Sequence, residues 1–378
     1  MRVNNIILIL TLIITLSGGC IEPFRPDLDD NQQLIVINGT LTDKEGYHYI
    51  NVSRSVPYES PENVPVQDCS VEVIDDTGNS IYFYESEPGL YEQWIDQEFL
   101  TTGKKYKLRV TAEGSVYESR YETLLPCPPV QNIYYEIAKK ETADPEKTIY
   151  GIQFYTDLVA HNGYARNYRW ELEETWEYHA EYLIRYYLQY NSRNDLGSES
   201  DSLYYCWSTN SINEIYTGTI NHLTKDSLAR IPLRYVSNES SRLKVRYSLF
   251  IKQFSLSDTA YEYWNQLKKQ HQEAGGLYEI QPQQIRGNIY NINIKDENVL
   301  GNFNVSGLSE KRVFVSERFN FFPENYDCAL FEPLFTPPSS KWPIWIIIDH
   351  WGKLLLANNQ FCFDCTKSGG TTEKPDFW

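Results

Sequence analysis

Residues 69–86 read CSVEVIDDTGNSIYFYES, and this stretch decides the fold class. Val71, Val73 and Ile74 form an alternating apolar run. Asp75-Asp76-Thr77-Gly78 is turn chemistry, and Ile81, Tyr82, Phe83 and Tyr84 resume a β-branched and aromatic run. Two such runs around a Gly-bearing turn predict a β-hairpin. The same grammar extends both ways. LIVINGTLTD (34–43) and YHYINVSRSVPY (47–58) precede it, and GLYEQW (89–94) follows. KKYKLRVTAEGSVYESRYETLL (104–125) reads as a second hairpin turning at Glu113-Gly114. Short strands at this spacing predict an antiparallel, immunoglobulin-like β-sandwich over residues 33–126. Cys127-Pro128-Pro129 marks its exit, because proline cannot continue a central strand.

Residues 127–378 predict a larger β-rich domain with one helix. IYGIQFYTDL (149–158), NYRWELEETWEYHAEYLI (167–184), RLKVRYSLFIKQFSL (242–256), GNIYNINI (287–294), VLGNFNVSG (299–307) and KRVFVSERFNF (311–321) read as strands. NSRNDLGSESDS (191–202) reads as a polar loop. The helix is expected at about 258–274. Ser257 suits its N-cap, and Ala260, Trp264, Leu267, His271 and Ala274 share one face. Gly275 suits its end. The fold class is therefore mainly β.

The chain opens with Arg2, an apolar run over 6–16 and the small residues Ser17-Gly18-Gly19, then Cys20. That order predicts a signal peptide over 1–19. The run is too short to span a bilayer. Leu16-Ser17-Gly18-Gly19-Cys20 resembles a bacterial lipobox, so Cys20 is the expected site of diacylglycerol attachment and of a membrane anchor. Residues 20–32 carry two prolines and four acids and read as a tether. Acids soon after a lipidated cysteine resemble, in part, a signal for export to the cell surface.

Removing residues 1–19 from 378 leaves 359, and losing Arg2 takes the formal charge from −17 to −18. Nucleic acid is an unsuitable partner for such a chain, since phosphate binding needs clustered Lys and Arg. Six cysteines remain beyond Cys20, namely Cys69, Cys127, Cys206, Cys328, Cys362 and Cys365. An even number in an exported chain reads as up to three disulfides. Position suggests Cys69–Cys127, one bridge among Cys328, Cys362 and Cys365, and Cys206 with the remaining partner or free. Cys362-Phe-Asp-Cys365 lacks the second ligand pair of a zinc site and the helical context of a redox motif.

No metal site, cofactor or catalytic residue emerges. The histidines are scattered. HExxH, GxSxG, phosphate-loop and dinucleotide patterns are missing from the sequence. Glu171-Leu-Glu-Glu174 offers carboxylates without the geometry that hydrolysis would need. Tyr and Trp dominate binding surfaces, so the aromatic cluster Trp176, Tyr178, Tyr182, Tyr186, Tyr187 and Trp207 is the expected ligand-binding surface, with core packing as the competing fate.

Four stretches together resemble a known family: LIVINGTLTD…VSRSVPY, YSLFIKQFSLSDTAYEYWNQLKKQ…GGLYEIQPQQIRGNIYN, VLGNFNVSGLSEKRVFV and CFDCTKSGGTTEKPDFW. They resemble Bacteroidota lipoproteins grouped as domain of unknown function 4249. That resemblance implies an outer-membrane lipoprotein, facing the exterior, that works beside a TonB-dependent transporter barrel in nutrient uptake. It supplies no activity and no catalytic residues. The alternatives are a structural or assembly subunit without a soluble ligand, and a surface hydrolase. The class of soluble ligand is not legible in these residues.

Overall fold

A computed structural model describes residues 33–378 apart from 57–63, 143, 145–146, 162, 191, 274–283, 323–327, 336 and 339–342. The expected signal peptide, Cys20, the tether, Ala274 and Gly275 lie outside the described residues.

The hairpin read from residues 69–86 forms as β4 (Ser70–Asp75) and β5 (Ser80–Glu87). Around it lie β1 (Ile35–Thr42), β2 (Gly46–Arg54), β3 (Val64–Pro65), β6 (Leu90–Ile95), β7 (Lys105–Ala112), β8 (Ser115–Ser119) and β9 (Glu122–Thr123). The chain continues through β10 (Ile133–Glu141), β11 (Thr148–Val159), β12 (Asn167–His179), β13 (Ile184–Gln189), β14 (Ser192–Ser200), β15 (Tyr205–Thr219), β16 (Ser227–Ser237) and β17 (Arg246–Leu256). Helix α1 (Asp258–Glu273) follows. After it come β18 (Ile289–Asn291), β19 (Phe303–Ser306), β20 (Leu308–Val315), β21 (Leu330–Phe331), β22 (Ile344–Ile348) and β23 (Leu354–Ala357).

The first sheet runs β18-β8-β7-β4-β5-β6-β2-β1-β19. It folds over at β5. Ser80–Phe83 pair with β4, whereas Tyr84–Glu87 pair with β6. The two halves enclose Ile37, Val52, Val71, Val73, Ile95, Tyr106 and Phe303, all essentially without solvent contact. The architecture is mainly β and sandwich-like, as the sequence predicts. Residues 33–126 do not complete it alone. Both ends of the sheet come from downstream, with β18 against β8 and β19 parallel to β1. The ends meet at Asn288, whose Oδ1 accepts from Phe303 N at 2.9 Å and whose Nδ2 donates to Phe303 O at 2.7 Å. The sheet is thereby nearly closed, which removes the free edges that strands otherwise expose.

The second unit packs the sheet β10-β11-β16 on the sheet β15-β12-β17-β20. Its core gathers Phe154, Tyr168, Trp170, Tyr247, Leu249 and Ile251. A third, smaller sheet runs β14-β13-β22-β23-β21. Helix α1 starts where the sequence places it, with Ser257 Oγ accepting from Ala260 N at 3.2 Å. Ala260 is buried, Trp264 and Leu267 are half-buried, and His271 is exposed.

Three expectations are corrected. The polar stretch 191–202 is largely strand β14, pairing with β13 through Tyr187↔Asn194 and Leu188↔Arg193. The strand expected over 167–184 is interrupted after His179. There Ala180 N donates to Tyr204 O, and Glu181 and Tyr182 both donate to Cys362 O. The Cys69–Cys127 bridge does not form, and both residues are free thiols. Cys69 packs against the first core and takes Tyr91 Oη on its backbone N–H at 2.9 Å. Cys127 has already crossed to the second core, where its thiol donates to Gln253 O at 3.2 Å. The disulfides are Cys206–Cys365 and Cys328–Cys362.

Candidate binding cleft

Strand parity settles the fate of the expected aromatic surface. Along β12, Trp170, Leu172, Glu174, Trp176 and Tyr178 turn inward, while Arg169, Glu171 and Glu173 turn outward. Trp176 and Tyr178 are therefore buried. The Arg242 guanidinium lies over the Trp176 ring at 4.6 Å, and Tyr178 Oη donates to Cys365 O at 3.0 Å. Trp207 is buried beneath the C-terminal tail, its backbone pairing with Thr371 at 2.8 and 2.9 Å. Gly370 permits that approach, since a Cβ there would lie 2.3 Å from Tyr178 Oη. Tyr182 donates to Cys328 O at 2.6 Å, Tyr187 packs on Trp345, and Tyr186 is half-buried under Arg185. These six residues hold the tail and the small sheet together. They do not form one open surface.

An open concavity lies elsewhere, between the outer face of the first sheet and the helix-bearing side of the second unit. Its larger lobe, about 640 Å³, runs from Thr40, Thr42, Tyr47 and Tyr49 to Trp264 and Leu267. A smaller lobe of about 310 Å³ reaches from Trp264 to Ile212, Asn213 and Phe250. Arg169, Glu171, Lys252 and Trp264 line both, so the lobes are continuous. The combined space falls in the range of ligand sites.

Arg169 is the unusual group. It is only 6% exposed, on a strand whose register sets it opposite Phe254 of β17. Its guanidinium lies 3.9 Å from the Trp264 ring centroid and 4.9 Å from that of Phe254. Cation–π contacts of this kind strengthen when water is excluded. Nη2 meets Glu171 Oε1 at 2.7 Å, but the buried Nε has no acceptor. Burial pulls the guanidinium pKa down, and the charge and hydrogen bond of Glu171 partly restore it. A buried donor without a partner costs about 1–3 kcal/mol, so such a group calls for a reason.

The surroundings fix this arrangement. Trp264 Nε1 donates to Asn304 Oδ1 at 3.2 Å, and Asn302 Nδ2 donates to the same oxygen at 2.8 Å. Glu173 is held by Arg312 at 3.0 Å. Glu174, on the other face, is buried with Arg234, Arg242 and Tyr247. The carboxylates of 171–174 are thus divided between two faces and engaged by arginines. Lys252 is half-buried with no carboxylate partner among the described residues, and its Nζ lies 5.6 Å from the Phe250 ring centroid. No cluster of His, Cys, Asp and Glu able to hold a metal occurs among the described residues.

Exposed aromatic rings border the larger lobe. Tyr47 (57% exposed) and Tyr49 (48%) share the outer face of β2, and Trp94 of β6 meets Tyr47 edge-on at 5.3 Å. The signal was present in GYHYINV, where Tyr47 and Tyr49 alternate with the buried His48, Ile50 and Val52.

No protein of curated function matches this sequence. Among solved structures, trypsin-activated alpha-2-macroglobulin from Escherichia coli is similar at 11% identity and a TM-score of 0.19. The match covers 60% of this chain and 15% of that one, and a likeness that slight carries no argument. Over residues 21–312 the sequence matches the model of a family described as Domain of unknown function (DUF4249). That span is well over half of the chain, and the protein belongs to the DUF4249 family.

Proposed function

We propose that this is a surface binding protein, anchored to the outer membrane through a lipid on Cys20, which holds a ligand in the Arg169 cleft and assists a TonB-dependent transporter barrel. The observation that carries the binding role is the buried guanidinium at the floor of an open, aromatic-walled concavity, with one donor left without an acceptor. Arg234, Arg242 and Arg246 share the lone Nε, so what sets Arg169 apart is its place in the open concavity. A ligand carboxylate would bind at the guanidinium edge that the exposed Glu171 now meets through Nη2. The signal segment, the cysteine after it and the acidic tether support the anchoring.

Ligand screening by thermal shift tests the binding role. Glycan, peptide and small-acid pools are offered to the wild-type lipoprotein and to Thr42→Trp, which fills the larger lobe. A compound that raises Tm only in the wild type supports the reading. Equal shifts in both proteins, or no shift from any pool, contradict it.

A second reading is a docking subunit without a soluble ligand. One observation favours it. Leu334 (92% exposed), Phe335 (86%) and Trp351 (75%) lie on adjoining loops of the small sheet, tied by the Lys353–Glu332 pair at 2.8 Å. Exposed apolar clusters mark contact surfaces. Loss of partner capture in Leu334→Ser/Phe335→Ser, with ligand shifts absent throughout, would favour this reading.

A further inference from the structure

We infer that the cleft takes an acidic saccharide, its carboxylate at Arg169 and Lys252 and its sugar faces on Tyr47 and Tyr49. The inference rests on the cleft being the ligand site.

Charge gives the first part. The chain carries a formal charge of −17, yet the larger lobe sets Arg169 and Lys252 against the single carboxylate of Glu171; Glu173 and Glu214, at the smaller lobe, are held by Arg312 and Arg234. An acidic protein whose larger lobe keeps an excess of cationic side chains is arranged there for an anion.

Glu171 gives the second part. Its carboxylate already meets Arg169 Nη2 at 2.7 Å, while its side chain is 47% exposed. A carboxylate of the chain thus occupies one edge of the guanidinium. Planar guanidinium and planar carboxylate match in a two-bond geometry. A ligand carboxylate entering beside or in place of Glu171 would take the Nη edge that Glu171 now holds. Lys252 lines both lobes with Arg169 and would meet a second oxygen of the same ligand.

The walls give the third part. β1 pairs with β2 and β19, β2 with β1 and β6, β12 with β15 and β17, and β17 with β12 and β20. Each is paired on both sides, so the larger lobe, where Tyr47 and Tyr49 lie, is walled by these strands without a free edge; the edge strand β15 borders only the smaller lobe. Peptides captured by strand addition need such an edge. What the walls do offer is flat aromatic surface at Tyr47, Tyr49 and Trp264. Aromatic faces carry the negative lobe of the ring quadrupole. The axial C–H bonds on one face of a pyranose are apolar and weakly positive, so a sugar ring stacks where a peptide backbone finds no partner. These features together favour a uronate-bearing oligosaccharide over an acidic peptide.

The test is isothermal titration of the full lipoprotein in detergent with tetragalacturonate, its fully methyl-esterified form and tetraglutamate. The wild type is expected to bind the uronate, with the ester weaker by about tenfold or more and no binding of tetraglutamate. Lys252→Gln and Tyr49→Ala, both at accessible positions, are each expected to weaken uronate binding several-fold. Arg169→Gln should abolish it, with circular dichroism reporting whether that variant folds. Ester binding equal to the acid overturns the carboxylate. Tetraglutamate binding as tightly as the uronate overturns the saccharide while leaving an anion site in the cleft. No binding of any probe overturns the inference, whereas the ligand-site reading falls only if the thermal-shift screen also finds nothing that Thr42→Trp blocks.

Discussion

The Asn288 carboxamide makes with Phe303 the pair of bonds that a neighbouring strand residue would make, and its backbone N–H also takes Asn302 Oδ1 at 3.1 Å. One side chain thereby joins β18 and β19, consecutive strands that stand at opposite ends of the sheet. Asn288→Ala leaves Phe303 N and O unpaired in a buried place. The expected loss is about 1–3 kcal/mol of unfolding free energy by urea titration. Asn288→Asp should not restore it, because a carboxylate cannot donate to Phe303 O. Asp75 works at the same scale, at the turn read from the opening hairpin. Its buried carboxylate accepts from Thr77 N, Thr77 Oγ1 and Asn79 N, and meets Lys104 Nζ at 3.2 Å. Burial alone would raise its pKa, but the hydrogen bonds from Thr77 and Asn79 and the Lys104 charge outweigh that, and the carboxyl is held well below its ordinary range. A depressed folded value means that the stabilisation is complete above the unfolded carboxylate pKa of about 3.9. It is lost as pH falls through the folded value. Asp75→Asn is therefore expected to lower stability at neutral pH and to flatten the acid limb of a stability-versus-pH curve. An unchanged acid limb would assign the effect to other carboxylates.

At the scale of elements, the C-terminal tail is a strap over the outer face of the β15-β12-β17-β20 sheet. Cys365 is bridged to Cys206, and Thr371 pairs with Trp207. Trp378 Nε1 donates to Glu177 Oε2 at 2.9 Å, and Phe377 receives the Arg312 guanidinium at 3.5 Å. The sequence shows this segment as loop, because glycines, threonines and lysine carry no local periodicity. Its partners are distant, the bridged cysteines being separated by 159 positions. The opening hairpin and helix α1 were legible for the opposite reason. Turn chemistry, alternation and capping all act within a few residues. β14 escaped because Gly197, Asn194 and the serines look like loop, while the partner strand β13 supplies the order. Chain position suggests a Cys69–Cys127 pair, but the two residues pack against different cores. Alkylation of the unfolded, unreduced protein followed by peptide mapping should label Cys69 and Cys127 and recover Cys206–Cys365 and Cys328–Cys362 as linked peptides. Cys206→Ser/Cys365→Ser should lower stability by roughly 4–5 kcal/mol, as expected for opening a loop of this length. A change well below 1 kcal/mol would mean that the strap holds without its bridge.

For the whole molecule, burial decides where a ligand can bind, and burial is set by contacts that cross the chain. The sequence placed the aromatic binding surface at residues 176–207. Strand parity turned Trp176 and Tyr178 inward, and the tail covered Trp207. The cleft that remains joins Tyr47 of the first sheet to Arg169 of β12 and Trp264 of α1. No local pattern links those three positions, although the outward phase of Tyr47 and Tyr49 was readable. In the proposed role this cleft sits on an anchored protein beside a transporter barrel. The measurement that tests it most directly is a mild-detergent pull-down of the tagged lipoprotein from native outer membranes, read by mass spectrometry. A TonB-dependent barrel recovered in stoichiometric amount is the expected result. Recovery of the lipoprotein without any barrel would contradict the accessory role and leave a free-standing surface binder.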